Sequence, residues 1–329
     1  VGFTLQYELS YSNVVNMLEL SGIPAFAADR GEDYPIIIGG GPCTYNPEPV
    51  ADFCDVFAIG EGEYMLTEFC ALYRDCRKKG MKKSEILRLA SHLDGFYVPS
   101  LYDVAYNSDG TINAVTPKYD DVPPVVTKRI VEDLDSAPFP TDFPVPYLET
   151  VHDRVTVEVF RGCIRGCRFC QAGMVYRPYR EKSSDSINAC AMASCRNTGY
   201  NEISLSALSI SDYSEIDKLV DKLLSWTENE KISLSLPSMR IDAFYEELMK
   251  KVMSVRKSGL TFAPEAGTQR LRDVINKNIT EEEILSACKM AFDGGRSQIK
   301  LYFMLGLPTE TDEDLTGIAA LGQSIVDEF

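Results

Sequence analysis

Cys163, Cys167 and Cys170 stand in the segment Arg161-Gly-Cys-Ile-Arg-Gly-Cys-Arg-Phe-Cys170, a C-x₃-C-x₂-C run directly after the apolar stretch Val155–Phe160. Three thiols within eight residues, on a loop punctuated by Gly162 and Gly166, can hold three irons of a cubane [4Fe–4S] cluster. The run supplies no fourth ligand, which leaves one iron open to bind and cleave a substrate. A structural zinc site asks for four ligands, usually as paired C-x₂-C units. Only one C-x₂-C occurs here, and the nearest other cysteine is Cys190. A ferredoxin-type carrier needs a fourth cysteine at a fixed spacing, which is also missing. The open cluster is the favoured reading. A metal-stabilised binding module, with zinc or an electron-transfer cluster, is its alternative.

The elements that would position this loop follow a regular rhythm. From residue 151 onward, strand patterns at Val155–Phe160, Glu202–Leu205, Ile232–Leu236, Leu260–Ala263 and Gln298–Met304 alternate with helical ones. The helices are expected at Ser184–Asn197, Ser214–Thr227, Ala243–Val255, Glu281–Phe292 and Asp312–Glu328. Five such βα units build a curved parallel sheet or partial barrel, with its site at the C-terminal strand ends. The cysteine loop follows the first strand, where such a site belongs.

The cysteine run, Phe169 before its last cysteine and the preceding strand resemble the radical S-adenosylmethionine superfamily. Two later segments carry the resemblance further. Ala263-Pro-Glu-Ala-Gly-Thr-Gln-Arg-Leu-Arg272, continuing to Ile275-Asn-Lys277, is similar to the Pro-Glu-x-Gly segment of the branch related to methylthiotransferases. Met304-Leu-Gly-Leu-Pro-Thr-Glu310 resembles the superfamily's Gly-x-Pro turn beside the adenine. The resemblance implies a (β/α)₆-type partial barrel whose [4Fe–4S] cluster is held by Cys163, Cys167 and Cys170. It implies reductive cleavage of S-adenosylmethionine to a 5′-deoxyadenosyl radical, for methyl or methylthio transfer. It also implies a reductase or flavodoxin-type electron donor, with RNA, protein or a small molecule as substrate. Phe169 would shield the cluster. Glu265, Gly306 and Pro308 become expected cofactor contacts, with Ser206 (beside Ser209 and Ser211) after the second strand. The Gly-Gly-Glu often found there in the superfamily is missing. Ser235, Ser238 and Arg240 follow the third strand, and Arg240 can pair with the methionine carboxylate.

Upstream, Val1–Leu5, Ile36–Ile38 and Val56–Ile59 read as short strands, with helices at Asn13–Leu20 and from Gly60-Glu-Gly-Glu63 through Arg77. This predicts a partial Rossmann-like parallel sheet over 1–80. Gly39-Gly-Gly-Pro42 and Gly60-Glu-Gly-Glu63 resemble the cobalamin-binding-type domain of the B12-binding-domain/radical-SAM proteins, so cobalamin joins the expected cofactors. The cobalamin motif Asp-x-His-x-x-Gly does not occur, the histidines being His92 and His152. Residues 81–150 read as a helix at Ser84–His92, a hairpin around Asn107-Ser-Asp-Gly110 and a Pro-rich linker, Ala137–Pro146. A domain boundary is expected near residue 150. The expected fold class is therefore α/β, a Rossmann-like sheet followed by a partial barrel, truncated at both ends.

The 329 residues carry 45% hydrophobic side chains, enough for two cores, and a net charge of −16 that opposes nucleic-acid binding by the whole surface. Between Arg161 and Lys182 six cations face one carboxylate, Glu181, a local net of +5. Charge balance around an anionic cluster accounts for it, with an anionic-substrate patch as the alternative. No 18-residue apolar run or leader pattern is present, and ten cysteines point to reduced thiols, so a cytoplasmic protein without membrane contact is expected. Cys43, Cys54, Cys70 and Cys76 are candidates for an auxiliary cluster or buried free thiols; Cys190, Cys195 and Cys288 complete the set. The opening residues read as mid-strand and Phe329 ends a helical pattern, so the chain is expected to be a piece of a longer protein.

Overall fold

The computed structural model describes residues 1–148, 150–237, 239–243 and 260–329. The expected helix Ala243–Val255 and Ser238 lie outside these residues, apart from Ala243 at the end of a short 3₁₀ turn. The chain divides into two compact units, Val1–Glu132 and Asp133–Phe329.

The first unit is built on a four-stranded sheet of β1 (Gly2–Thr4), β2 (Ile38–Gly40), β3 (Val56–Ala58) and β4 (Phe96–Tyr97), in that order. The first three strands are parallel, as the short apolar runs predict, and β4 adds antiparallel to β3. Helices α1 (Tyr11–Leu20), α2 (Gly62–Lys78) and α3 (Lys83–Ala90) accompany the sheet. Helix α2 buries Met65, Phe69 and Cys76, a spacing of whole helical turns, into a core with Phe57 and Phe96. The hairpin of β5 (Tyr102–Tyr106) and β6 (Ile112–Pro117) forms as expected.

The division falls at Glu132/Asp133, upstream of the expected boundary near 150. The reason lies in two sets of anchors. Arg129 forms a parallel bridge to Gly60, and the Val131 amide donates to Glu61, which ties the chain up to 131 to the first sheet. Beyond that point, Asp135 accepts from the Ser183 amide and Thr141 from Asn197, and Phe139 packs on the second unit's core. The Pro-rich stretch is thus not a free linker over its whole length.

In the second unit β7 (Val155–Glu158), β10 (Glu202–Ser206) and β11 (Ser233–Ser235) form a parallel sheet in the order β11-β10-β7. A separate parallel pair joins β12 (Leu260–Glu265) to β13 (Ile299–Phe303). The five expected strands are all present, distributed between these two sheets. Between β7 and β10 the chain makes β8 (Phe160–Arg161), a single helical turn α4 (Ala172–Val175), β9 (Arg180–Glu181) and helix α5 (Ser184–Thr198). Helix α5 starts where the Ser183 hydroxyl caps the Ser186 amide and ends at Gly199 in the left-handed region, as capping rules require. Helix α6 (Ile216–Glu230) buries Leu219, Val220, Leu223, Trp226 and Thr227, one face at i, i+1, i+4, i+7 and i+8. Burial of each such leucine is worth about 2 kcal/mol. Helices α7 (Gln269–Val274), α8 (Glu281–Asp293) and α9 (Asp312–Glu328) follow. Helix α8 opens with a Thr280/Glu283 capping box and buries Ile284, Ala287, Cys288 and Ala291.

Candidate active site

The cysteine loop is closed at its base. Strands β8 and β9 pair antiparallel, with Phe160 opposite Glu181 and Arg161 opposite Arg180, so residues 162–179 leave and return at one point. Gly162, at φ 84°, lies so close to Pro178 that an added Cβ would sit 2.8 Å from its carbonyl oxygen. Only glycine fits there. Sequence reasoning missed this clamp, since two-residue strands leave no periodicity to read.

Within the loop, Cys163, Cys167, Phe169 and Cys170 line one cavity of about 290 Å³ together with Arg165, Ser209, Arg240, Glu265 and Lys277. All three thiols are half-buried. The Arg165 amide donates to the Cys163 sulfur at 3.4 Å and the Cys170 amide to the Cys167 carbonyl at 3.1 Å. Among the described residues no three Cys, His, Asp or Glu side chains gather as ligands of a single ion, the arrangement structural zinc needs. A cubane instead takes each thiolate on a different iron. Half-buried thiols around one cavity, with cations and amides beside them, fit such an anionic cluster.

An ionic network frames the cavity. Arg165 pairs with Asp212 and, at 3.1 Å, with Asp242, which also accepts from Arg240 Nε at 2.9 Å. Burial alone would raise the Asp212 carboxyl, but the hydrogen bonds from Arg165 and the charges of Arg165 and Arg240 hold it below the usual carboxylate range. Arg240 is therefore already engaged: it also donates to the Lys277 carbonyl at 3.1 Å. Glu265 sits at φ 70°, unusual for a residue with a side chain, where the β12–β13 register shifts. Pro264, which has no N–H for the ladder, stands just before it. The turn carries the Glu265 carboxylate to the cavity, 3.2 Å from the Lys277 ammonium.

Of the other expected contacts, Ser209 lines the cavity while Ser206, exposed at the end of β10, and Ser235 do not. Burial of Ile203 and Leu205 sets the strand register that turns Ser206 away. Gly306 and Pro308 also lie outside the lining. They form an exposed turn after β13, in which the Gly306 amide donates to Glu310 at 2.9 Å. Arg165, Asp212, Asp242 and Lys277 went unassigned in the sequence. Their only signal was a charged residue soon after a strand or between ligands.

The turn after Glu265 is held from behind by helix α9. A Cβ on Gly267 would stand 2.2 Å from the Ile318 amide nitrogen, so the two segments meet backbone to backbone. Asp314, buried at the start of α9, accepts from the Thr268 hydroxyl, the Arg270 guanidinium and the Thr311 amide. The Thr268 hydrogen bond, foremost among these and against the opposing effect of burial, keeps its carboxyl well below the ordinary range. A carboxyl lowered in the folded state stabilises above its unfolded value of about 3.9 and loses that contribution as the pH falls through the lower folded value. Asp314→Asn is therefore expected to lower the melting temperature at pH 7, and the gap to the native protein should narrow on acidification. Paired thermal melts from pH 7 to pH 3 check this; a gap that stays constant would contradict it.

Most cations of the +5 segment have partners within the fold. Arg161 pairs with Glu158, Lys182 lies over the Phe139 ring, Arg168 donates to the Val274 carbonyl and Arg180 to the Pro178 carbonyl. Arg165 adds its pairs with Asp212 and Asp242.

The remaining thiols behave differently from the loop cysteines. Burial pushes Cys54 up to about 12 and Cys195 and Cys288 up to about 11, which keeps them protonated. Cys43 and Cys76 are buried as well, and Cys70 is exposed. The two glycine segments of the first unit lie at the C-terminal ends of β2 and β3, the two central strands of the sheet. The close approaches at Gly41 and Gly60 are filled by the protein's own backbone, at Leu5 and Arg129 respectively. Gly40 and Gly62 in the same two segments face open space instead. His92 faces Asp121 at 3.5 Å. A cavity of about 690 Å³ in the same unit is walled in part by Arg30 and Lys83, which both pair with the buried Asp55 carboxylate. Among the described residues no helix is long and apolar enough to cross a membrane.

Three cysteines, a carboxylate and cations line one cavity beside the parallel strands of an α/β fold, a donor set that fits an iron–sulfur cluster. The sequence profile of the radical SAM superfamily matches residues 157–322, just over half of the chain, and a profile for the N-terminal part of radical SAM proteins matches residues 1–99. The chain belongs to the radical SAM superfamily, whose members use a [4Fe–4S] cluster and S-adenosylmethionine. An uncharacterized protein of Methanocaldococcus jannaschii is 29% identical, over 99% of this chain and 63% of its own length. An uncharacterized methyltransferase of Pyrococcus horikoshii is 23% identical, over 91% of this chain and 60% of its own. This chain thus spans about three fifths of the length of these relatives. TsrM of Kitasatospora setae, a radical S-adenosylmethionine methyltransferase solved with cobalamin and a [4Fe–4S] cluster, matches with a TM-score of 0.68 at 13% identity, over 99% of this chain and 62% of its own. OxsB, a cobalamin-dependent S-adenosylmethionine radical enzyme, matches with a TM-score of 0.58 at 14% identity, over 97% and 43%. At such identities the likeness is one of fold.

Proposed function

We propose that this chain carries the catalytic centre of a radical S-adenosylmethionine enzyme that transfers a methyl or methylthio group. The observation that carries the reading is the convergence of Cys163, Cys167 and Cys170 on one cavity with Glu265, Lys277 and Arg240. A [4Fe–4S] cluster held there supplies one-electron reducing power and an open iron for S-adenosylmethionine. The three thiolates hold the cluster, and the Arg165 amide at Cys163 stabilises its negative charge. Asp212 and Asp242 orient Arg165 and Arg240 in the cavity wall, where a substrate carboxylate would exchange with part of this pairing. Glu265, offset by Lys277, offers acceptor oxygens to an ammonium or to ribose hydroxyls. Phe169, Leu208, Met239, Ile241 and Ile279 exclude water from the same space. The relative named as a methyltransferase and a second Methanocaldococcus jannaschii protein named as a methylthiotransferase, 26% identical over 49% of this chain, support group transfer as the outcome. A flavodoxin-type or reductase partner would supply the electron.

The test uses the full-length protein, reconstituted anaerobically with iron and sulfide and given S-adenosylmethionine and a strong reductant. Formation of 5′-deoxyadenosine or S-adenosylhomocysteine is expected. Zinc bound without inorganic sulfide would overturn the proposal in favour of a structural module.

A further inference from the structure

Both residues that flank Cys167 are tied to one distant turn. The Gly166 carbonyl, just before it, accepts from the Asn276 side-chain amide at 2.8 Å, and the Arg168 amide, just after it, donates to the Ile275 carbonyl at 2.9 Å. The Arg168 guanidinium adds a hydrogen bond to the Val274 carbonyl. More than a hundred residues separate the partners in sequence, so none of these contacts serves local folding of the loop. Gly166 is part of the fit: a Cβ there would stand 3.0 Å from the Asn276 amide nitrogen.

The turn itself is held under strain. Asn276 and Asn278 lie at φ 55° and 53°, in the left-handed region, which costs a residue with a side chain of order 1 kcal/mol. Glu265 and Thr309 share that conformation, so among the described residues four of the five such non-glycine residues fall between 265 and 309. Strained backbone of this kind persists where surrounding contacts over-determine it. The next residue, Lys277, is buried and points its ammonium at Glu265 and toward the Phe169 ring, 5.9 Å from its centroid. One dipeptide therefore grips the cysteine loop with its first side chain and the cavity carboxylate with its second.

We infer that Asn276 is a positioning residue for the cluster: its side-chain amide, with the Ile275 carbonyl, fixes the backbone on both sides of Cys167 and so aims that thiolate at its iron. The inference rests on the proposed function of the same cavity. Asn276→Gly separates this role from folding, because glycine adopts φ 55° without strain yet makes no side-chain hydrogen bond. Asn276→Asp sets a carboxylate oxygen against the Gly166 carbonyl and makes the contact repulsive.

The measurement compares native, N276G and N276D full-length proteins after anaerobic reconstitution. It follows retained iron and sulfide, the rate of cluster loss on exposure to a chelator, and the electron paramagnetic resonance spectrum of the reduced cluster with and without S-adenosylmethionine. N276G is expected to melt no lower than the native protein when free of iron. It should nonetheless lose its cluster about fivefold faster, the effect of one net hydrogen bond, and show an altered spectrum. N276D should lose it faster still. Native loss rates and spectra in both variants would overturn the inference while leaving the proposed function standing, as would a lowered iron-free melting temperature with an unchanged cluster. A native protein that takes up no iron–sulfur cluster would overturn both.

Discussion

Cys167→Ala is expected to abolish cluster assembly while leaving the protein folded. Cys167 is the middle thiol of the three, and the backbone on both sides of it is anchored to residues 275 and 276. Its removal leaves Cys163 and Cys170, two ligands where the cubane needs three. The side chain is only half-buried, so its deletion creates no sealed cavity and its effect on stability should stay within about 0.5 kcal/mol. After reconstitution the variant should show no stoichiometric iron and sulfide, no broad visible absorbance and no 5′-deoxyadenosine, with the thermal melt of the iron-free protein unchanged. Full iron and sulfide in the variant would mean that these cysteines are not the ligands. Cys195→Ala is the matched control, because that thiol is buried and held protonated; its cluster content should equal the native value.

Arg272→Met should have the largest effect on stability. Arg272 is fully buried, and its guanidinium donates to the carbonyls of Ile279 at 3.1 Å, Ala266 at 3.0 Å and Gly267 at 3.3 Å, and to the Gln269 side chain at 3.2 Å. No carboxylate is among these hydrogen-bond partners, and burial lowers its pKa. Methionine fills much of the same space but leaves three carbonyls without their donor. Each orphaned buried group costs about 1–3 kcal/mol, offset in part by no longer burying a charge, so a net loss of about 3 kcal/mol is expected. Urea denaturation should show a lower midpoint at an unchanged slope. Arg272→Lys should recover only part of this, because an ammonium lacks the planar fork that reaches carbonyls in two directions. Since Ala266 and Gly267 directly follow Glu265, the same variant should weaken S-adenosylmethionine binding in whatever fraction remains folded. Native stability in Arg272→Met would show that the carbonyls find other donors.

The alternation of strands and helices was legible because burial imposes its period on the chain. The α9 helix begins and ends where its pattern does, and five strands of the second unit lie within a few residues of their expected positions. The antiparallel β4 and the β8–β9 clamp were not legible, since two-residue strands are made by partners far along the chain. The division between the two compact units was not legible for a related reason. Proline content marks where a chain is extended, whereas the division at 132 is set by which core Arg129 and Phe139 pack against.

The cysteine spacing by itself pointed to the kind of chemistry proposed, because thiolate softness and the number of ligands are properties of composition and order. Pro264-Glu265 and Arg240 were likewise visible as candidates, and both reach the cavity. Ser206, Ser235, Gly306 and Pro308 do not, because strand register and turn direction are outcomes of packing. The +5 segment showed the same limit: its charge could be counted, but which carboxylates and carbonyls would take it up could not. Only the tertiary structure decided that Arg165 meets Asp212 and Asp242, and that Asn276 meets Gly166 across 110 residues. Such contacts are selected by the closure of the whole fold, and no local period or spacing encodes them.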